Sequence, residues 1–425
     1  GGLFVALVAP HVFSDYYELH LSLGLTVLLL LIVSAKDRAA LTDERWRLLC
    51  ALLACAAIVA AGWATVAAMG DWSAQRGGSY LARALQELSL TQVARLRWLT
   101  WGTTGLLLVI GFIVYWRRPR DGHRLTCGLF GVGGLVLTAA LALHVRDSVR
   151  DSILRMRNFY GVLSVLKYSD GTPDSDYHVL QHGRITHGLQ FIAPHRAGAI
   201  TSYFGASTGL GLSLRHFPRQ QSKRVGLLGL GVGTVTAYGN PGDYYRIYEI
   251  NPQVKQIADA PFTYLARSQA KIEVVMGDAR LSMENEPSQE FDFLIMDAFS
   301  SDAVPVHLLT REAFEIYQRH VKPDGVILVN ISNRYLNLRP VVENAARTLG
   351  YRAYHVESTD GGGNEDYGEG DAGWWLYGAS WMVLSRNTAF MERSAVRYAA
   401  SPPSPDGADI PLWTDDYTSM FRILQ

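Results

Sequence analysis

The sequence predicts a chain in two parts: an all-helical region over residues 1–150, then an α/β domain with a largely parallel sheet. Three observations predict it. Long apolar runs broken by short Arg clusters fill the first 150 residues. Beyond them, strand and helix patterns alternate, as in a parallel sheet covered by helices. Glycine or acidic residues then stand at the carboxyl ends of four successive expected strands, where open α/β sheets bind their ligands.

Leu48 to Met69, Trp98 to Trp116 and Leu125 to Val145 are each about the length that crosses a ~30 Å hydrocarbon core, and they read as transmembrane helices. Leu21 to Ala35, preceded by Tyr16, Tyr17 and His20, reads as a fourth span with aromatic anchors. Residues 1–10, GGLFVALVAP, look like the tail of a further apolar segment. Neither an initiator Met nor a charged leader precedes them, so the expectation is a piece of a longer polytopic protein. Lys and Arg number four in each of the segments 36–47, 71–97, 117–124 and 146–157, so the positive-inside rule leaves the orientation open. With 39 basic and 39 acidic residues the net charge is zero, which argues against a nucleic-acid partner. Cys50, Cys55 and Cys127 all lie in apolar runs, where they act as small hydrophobes; no disulfide and no metal site is expected.

A small β-subdomain is expected over 151–205 and the main domain over 206–425. YGVLSVLKY and DYHVLQHGRITHGLQF alternate around a Ser-Asp-Gly-Thr-Pro-Asp-Ser loop, as a β-hairpin plus a third strand. SYFGASTGLGLSLRHF reads as a helix leading into the main sheet. The first buried strand, Arg224 to Leu228, runs into Gly229, Gly231 and Gly233, a turn whose backbone amides can approach a ligand closely at a helix N-terminus. The second, Tyr245 to Glu249, ends on an acid 18 residues beyond Gly231, placed to accept both hydroxyls of a ribose. The third, Ile272 to Met276, leads into GDAR, where Asp278 can meet an adenine amino group. The fourth, Phe291 to Met296, delivers Asp297 into the loop DAFSSDAVPVHLLT. Gly325 to Ile331 makes a fifth strand and Trp381 to Leu384 an edge strand. The expected whole is a Rossmann-like class I methyltransferase fold that binds an S-adenosyl nucleoside.

Together these motifs resemble the spermidine synthase family of aminopropyltransferases, and particularly its membrane-fused bacterial members. The resemblance covers roughly residues 157 to 425 and rests on HGRITHGLQ, GLLGLGVGT, YEINP, GDAR and DAFSSDAVP in order. It implies decarboxylated S-adenosylmethionine as donor, Glu249 on the ribose, Asp278 with Ala279 at the adenine, and Asp297 as the base that deprotonates an amine. Gln190, Tyr203, Asp302 and Asp416 are the expected substrate-binding residues. The sequence also departs from the family. Asp302 follows Asp297 by five residues where the family's loop has three, and the stretch HGLQFIAPHRAGAITSYFG lacks the acidic pair that receives a cationic amine. His187, His195 and Arg196 in that stretch would attract a dicationic diamine less. His182 and His187, five apart, are expected on opposite faces of one strand, each in a packing or hydrogen-bonding role. The segment 359–375, TDGGGNEDYGEGDAGWW, reads equally as a lid or as a solvated acidic loop.

The resemblance implies an enzyme of polyamine biosynthesis in the bacterial inner membrane with its catalytic domain in the cytosol. Its partners would be a small amine or a lipid and the membrane itself, and a homodimer is compatible with it. A methyltransferase using intact S-adenosylmethionine stays open, because Gly231, Glu249 and Asp278 address only the nucleoside. So does a nucleotide-sensing module of a transporter, although the apolar runs hold no charges beyond their ends. An NAD-dependent dehydrogenase would leave Asp278 and Asp297 without a role.

Overall fold

The computed structural model describes residues 4–36, 152–169, 171–183, 185–218, 222–298, 305–359, 373–402 and 410–425. The chain divides into two compact units, Gly1–Ser152 and Ile153–Gln425.

In the first unit, helix α1 (Tyr17–Lys36) contains the expected run Leu21 to Ala35. Its hydroxyls are satisfied internally: Ser22 donates to the Glu18 carbonyl at 2.6 Å and Thr26 to the Ser22 carbonyl at 2.7 Å. Leu19, Leu21, Leu25 and Leu29 are exposed. Among the described residues no helix is long and apolar enough to cross a membrane. The runs expected to span at 48–69, 98–116 and 125–145 lie outside the described residues.

The second unit begins with a small sheet in the order β1 (Ser152–Asn158), β2 (Gly161–Tyr168), β3 (Tyr177–His182) and β4 (Ile185–Phe191). A hairpin plus one strand was the expectation; the sheet has four strands. The extra one is β1, SILRMRN, whose Arg155 and Arg157 belong to the basic segment 146–157.

The main sheet runs β12-β10-β11-β9-β8-β5-β6-β7. Strands β5 (Arg224–Leu228), β6 (Tyr244–Glu249), β7 (Lys271–Met276), β8 (Phe291–Met296) and β9 (Val321–Asn330) are parallel. β10 (Arg352–Ser358), β11 (Ala379–Ser385) and the short β12 (Ala400–Ser401) add antiparallel pairings. Successive side chains face opposite layers. Leu227, Phe293, Ile295 and Leu328 enter one core, while Leu228, Leu294, Met296 and Ile327 enter the other. The run Trp381 to Leu384 is not an edge strand. It forms most of β11, between β9 and β10, and all four residues are fully buried. An apolar run without alternation marks a strand covered on both faces, and β10, the strand outside it, had no such run to announce it.

Helices α2 (Gly209–His216), α3 (Pro252–Asp259), α4 (Ala279–Asn285), α5 (Arg311–His320) and α6 (Arg339–Thr348) cover the sheet. Thr208, Asn251, Asp278 and Thr310 cap the first four by accepting backbone N–H groups. β5 has β6 on one side and β8 on the other, so the chain reverses direction across the sheet there. That reversal opens a crevice beyond the carboxyl ends of these strands.

Candidate active site

A cavity of about 250 Å³ fills this crevice. Its floor is the glycine turn after β5. Gly229 has φ +91°, and a Cβ there would lie 2.4 Å from the Asp297 carbonyl, so only glycine lets the turn pass against the end of β8. The hairpin packs just as closely from above: a Cβ on Gly188 of β4 would meet Val232 at 2.3 Å. Gly229 and Gly231 line the cavity. Gly233 does not; it packs toward Leu265 and opens a five-residue 3₁₀ turn, Thr234–Tyr238, where an α-helix was expected.

Glu249 ends β6 and is buried. Its Oε2 accepts the Leu230 N–H at 2.9 Å and its Oε1 the Asn251 N–H at 2.7 Å, which ties the glycine turn to the end of the neighbouring strand. Burial raises its pKa, while the backbone donors oppose that rise. The Ile250 N–H is a third backbone donor to this carboxylate, and the residue lines the cavity. Asp278 and Ala279, after β7, also line it. The Asp278 Oδ1 caps α4 through the Leu281 N–H at 2.9 Å, and its Oδ2 lies 3.0 Å from His307 Nε2.

Asp297, just past β8, is held on both oxygens. Asn330 Nδ2 donates to Oδ1 at 2.7 Å and the Tyr203 hydroxyl to Oδ2 at 3.3 Å. Burial pushes its carboxyl up to about 7, against the pull of those two donors. Tyr203 is held well above the ordinary phenol range by burial and by the neighbouring carboxylate, so it stays a donor. A carboxyl that titrates near neutrality is suited to take a proton from an incoming nucleophile.

The opposite wall comes from the small sheet: Tyr160, Leu163, Leu180, His182 and His187. The two histidines share one side, with ring centroids 5.7 Å apart, and not opposite faces as their spacing suggested. Five residues here span the tight turn between β3 and β4, so the pair is cross-strand, and a register shift at Leu180/Gln181 re-aims the strand. His182 Nε2 contacts the Tyr160 carbonyl at 2.7 Å.

Several expected site residues lie elsewhere. Gln190 is buried in the join between hairpin and main domain. It donates to the Ala197 carbonyl and to the Thr263 hydroxyl, and it accepts the Thr263 N–H; it does not line the cavity. Arg196 stacks on Phe191 and His195 sits 3.7 Å from Asp174; neither lines the cavity. Asp416 is exposed and is absent from the cavity wall. Its neighbour Asp415 pairs with Arg280 at 2.5 Å and is held down at about 2 by that guanidinium. Asp302 and residues 360–372 lie outside the described residues. Asn330 and His307 were missed by sequence reasoning. Asn330 carried a signal, a polar residue at the carboxyl end of the fifth strand; His307 follows the loop of Asp297 and carried none.

No family model matches the chain. A polyamine aminopropyltransferase from Vibrio vulnificus (strain CMCP6) is 32% identical over 113 residues, which make up 25% of this chain and 37% of that protein. The match thus spans little more than a third of that relative. Among solved structures, a probable spermidine synthase from Corynebacterium glutamicum is similar at 16% identity, with a TM-score of 0.44 over 58% of this chain and 85% of its own. The spermidine synthase of Thermotoga maritima is similar at 14% identity, with a TM-score of 0.36 over 63% and 82%. Both scores are below one half, so the fold assignment rests on strand order and register.

Proposed function

We propose, from this resemblance to the spermidine synthase family, that the chain transfers an aminopropyl group from decarboxylated S-adenosylmethionine to an amine. Asp297 is the observation that carries the proposal: a half-buried carboxyl pushed up to about 7, held by Asn330 and Tyr203 and lining the same cavity as Glu249. The glycine turn, Glu249 and Asp278 would take the nucleoside, with Glu249 accepting from the ribose through the acceptor capacity its backbone donors leave. Tyr203 and Asn330 fix the base. A cavity closed by the hairpin keeps the sulfonium carbon and the amine in line and limits water, which supplies much of the rate.

Purified protein given decarboxylated S-adenosylmethionine and a primary amine is expected to release methylthioadenosine, and Asp297→Asn to cut that by roughly 10²–10⁴-fold with methylthioadenosine still bound. Release of S-adenosylhomocysteine from intact S-adenosylmethionine, with no methylthioadenosine from the decarboxylated donor, would replace this reading with methyl transfer. We further propose that the apolar runs of residues 1–150 hold this domain at the cytosolic face of a bacterial inner membrane. The runs at 48–69, 98–116 and 125–145 support it. Recovery of the full chain in the soluble fraction without detergent would overturn it.

A further inference from the structure

The small-sheet wall of the cavity is chemically unlike the rest. Glu249, Asp278 and Asp297 all sit on the main sheet's side. The hairpin contributes Leu163, Leu180, His182 and His187, and among the described lining residues it contributes no carboxylate and no fixed cation. His182 Nε2 faces a carbonyl oxygen, so it carries a proton there and the ring is engaged. His187 differs: its Nε2 is buried and meets no hydrogen-bond partner. A buried polar atom without a partner is uncommon in a folded protein, and at a cavity wall it marks a place for a ligand atom. Burial, reinforced by His182, pushes the His187 imidazole down to about 4, so the ring is neutral near pH 7.

We propose that His187, backed by His182 and flanked by Leu163 and Leu180, is the specificity-determining residue of an uncharged acceptor subsite, selecting a primary monoamine whose far end is a neutral hydrogen-bonding group such as a hydroxyl. This deepens the proposed function and rests on it. The acceptor enters as an ammonium and gives one proton to Asp297. The freed nitrogen lone pair attacks the donor's aminopropyl carbon beside the sulfonium, and the carbon–sulfur bond breaks with its electron pair passing to sulfur. The products are neutral methylthioadenosine and the aminopropylated acceptor, whose secondary nitrogen keeps the other two protons as an ammonium while Asp297 holds the third. The distal end of the acceptor lies against the hairpin. A second ammonium there would lose water and, among the described lining residues of the small sheet, meet Tyr160, Leu163, Leu180 and two imidazoles with no carboxylate to compensate its charge. A hydroxyl would instead pair with His187.

The full-length protein, saturated with methylthioadenosine, can be titrated calorimetrically with 4-aminobutan-1-ol, n-butylamine and putrescine, which share a four-carbon body. The expected order is 4-aminobutan-1-ol tightest and putrescine weakest, with about tenfold or more between them. His187→Ala should bring 4-aminobutan-1-ol to the affinity of n-butylamine, and His187→Asp should make putrescine the tightest, with methylthioadenosine affinity kept in both. Putrescine binding tightest to the wild type, an unchanged order in His187→Ala, or no amine binding to the methylthioadenosine-loaded protein would each overturn the subsite while leaving the nucleoside reading intact. Failure of methylthioadenosine itself to bind would sink both.

Discussion

Asp297 accepts two hydrogen bonds and still holds its proton more tightly than a free carboxyl does, because burial outweighs both donors. Two consequences follow for pH. In the proposed role of base it must be ionised, so kcat/KM should rise with pH through a limb near 7, and Tyr203→Phe, which removes a donor to the charged form, should move that limb upward. A pH–rate profile checks both. The linkage to stability has the opposite sense. The folded state binds this proton more tightly than the unfolded chain, whose ordinary value is 3.8. The carboxyl therefore costs nothing below about pH 4, and stability falls as pH rises from there to about 7. At roughly 1.4 kcal/mol per pKa unit the loss is about 4 kcal/mol at most. Asp297→Asn should then raise Tm at pH 8 and leave it unchanged at pH 4. Equal shifts at both values would mean that the carboxyl is not buried as described.

At the scale of elements, the cavity depends on strand ends brought close by glycine. Gly229→Ala would place a methyl against the Asp297 carbonyl and force an L-residue to φ +91°; the left-handed backbone alone costs about 1–2 kcal/mol. Weakened methylthioadenosine binding together with a lower Tm is expected, and wild-type values in both measurements would contradict the turn geometry. β11 offers a separate test of the sheet. Trp381 is fully buried between β9 and β10, so Trp381→Ala should cost about 3–5 kcal/mol in chemical denaturation, whereas an edge position would cost far less. Much of this was legible in the sequence. The five parallel strands each carry a short, mainly apolar β-pattern, such as RVGLL in β5 and FDFLIM in β8, and Gly229, Glu249, Asp278 and Asp297 could be placed because each lies at or just past the end of one. β10 and the interior position of β11 were not, since strand order at the antiparallel end depends on which strand folds back, and no single run encodes that. Gln190 was misplaced for a related reason. A polar residue on a strand facing the main domain looks the same in sequence whether its amide meets a ligand or, as here, the Thr263 backbone.

At the scale of the whole molecule, every described residue lining the cavity, from Tyr160 to Leu308, belongs to the unit Ile153–Gln425. That unit has its own cores on both faces of the sheet, built from residues such as Leu210, Phe293 and Trp381 on one side and Phe314, Val342 and Met382 on the other. The C-terminal segment is tied into the same unit: the Arg311 N–H donates to the Trp413 carbonyl at 2.8 Å and the Asn337 N–H to the Ile423 carbonyl at 2.7 Å. Nucleoside recognition should therefore be a property of this unit alone. A fragment covering residues 153–425 is expected to unfold in one cooperative transition and to bind methylthioadenosine with the affinity of the full chain, within about a factor of two to three. Calorimetry on the two proteins compares them directly. A fragment that folds but binds about tenfold or more weakly would show that residues 1–152 contribute to nucleoside binding.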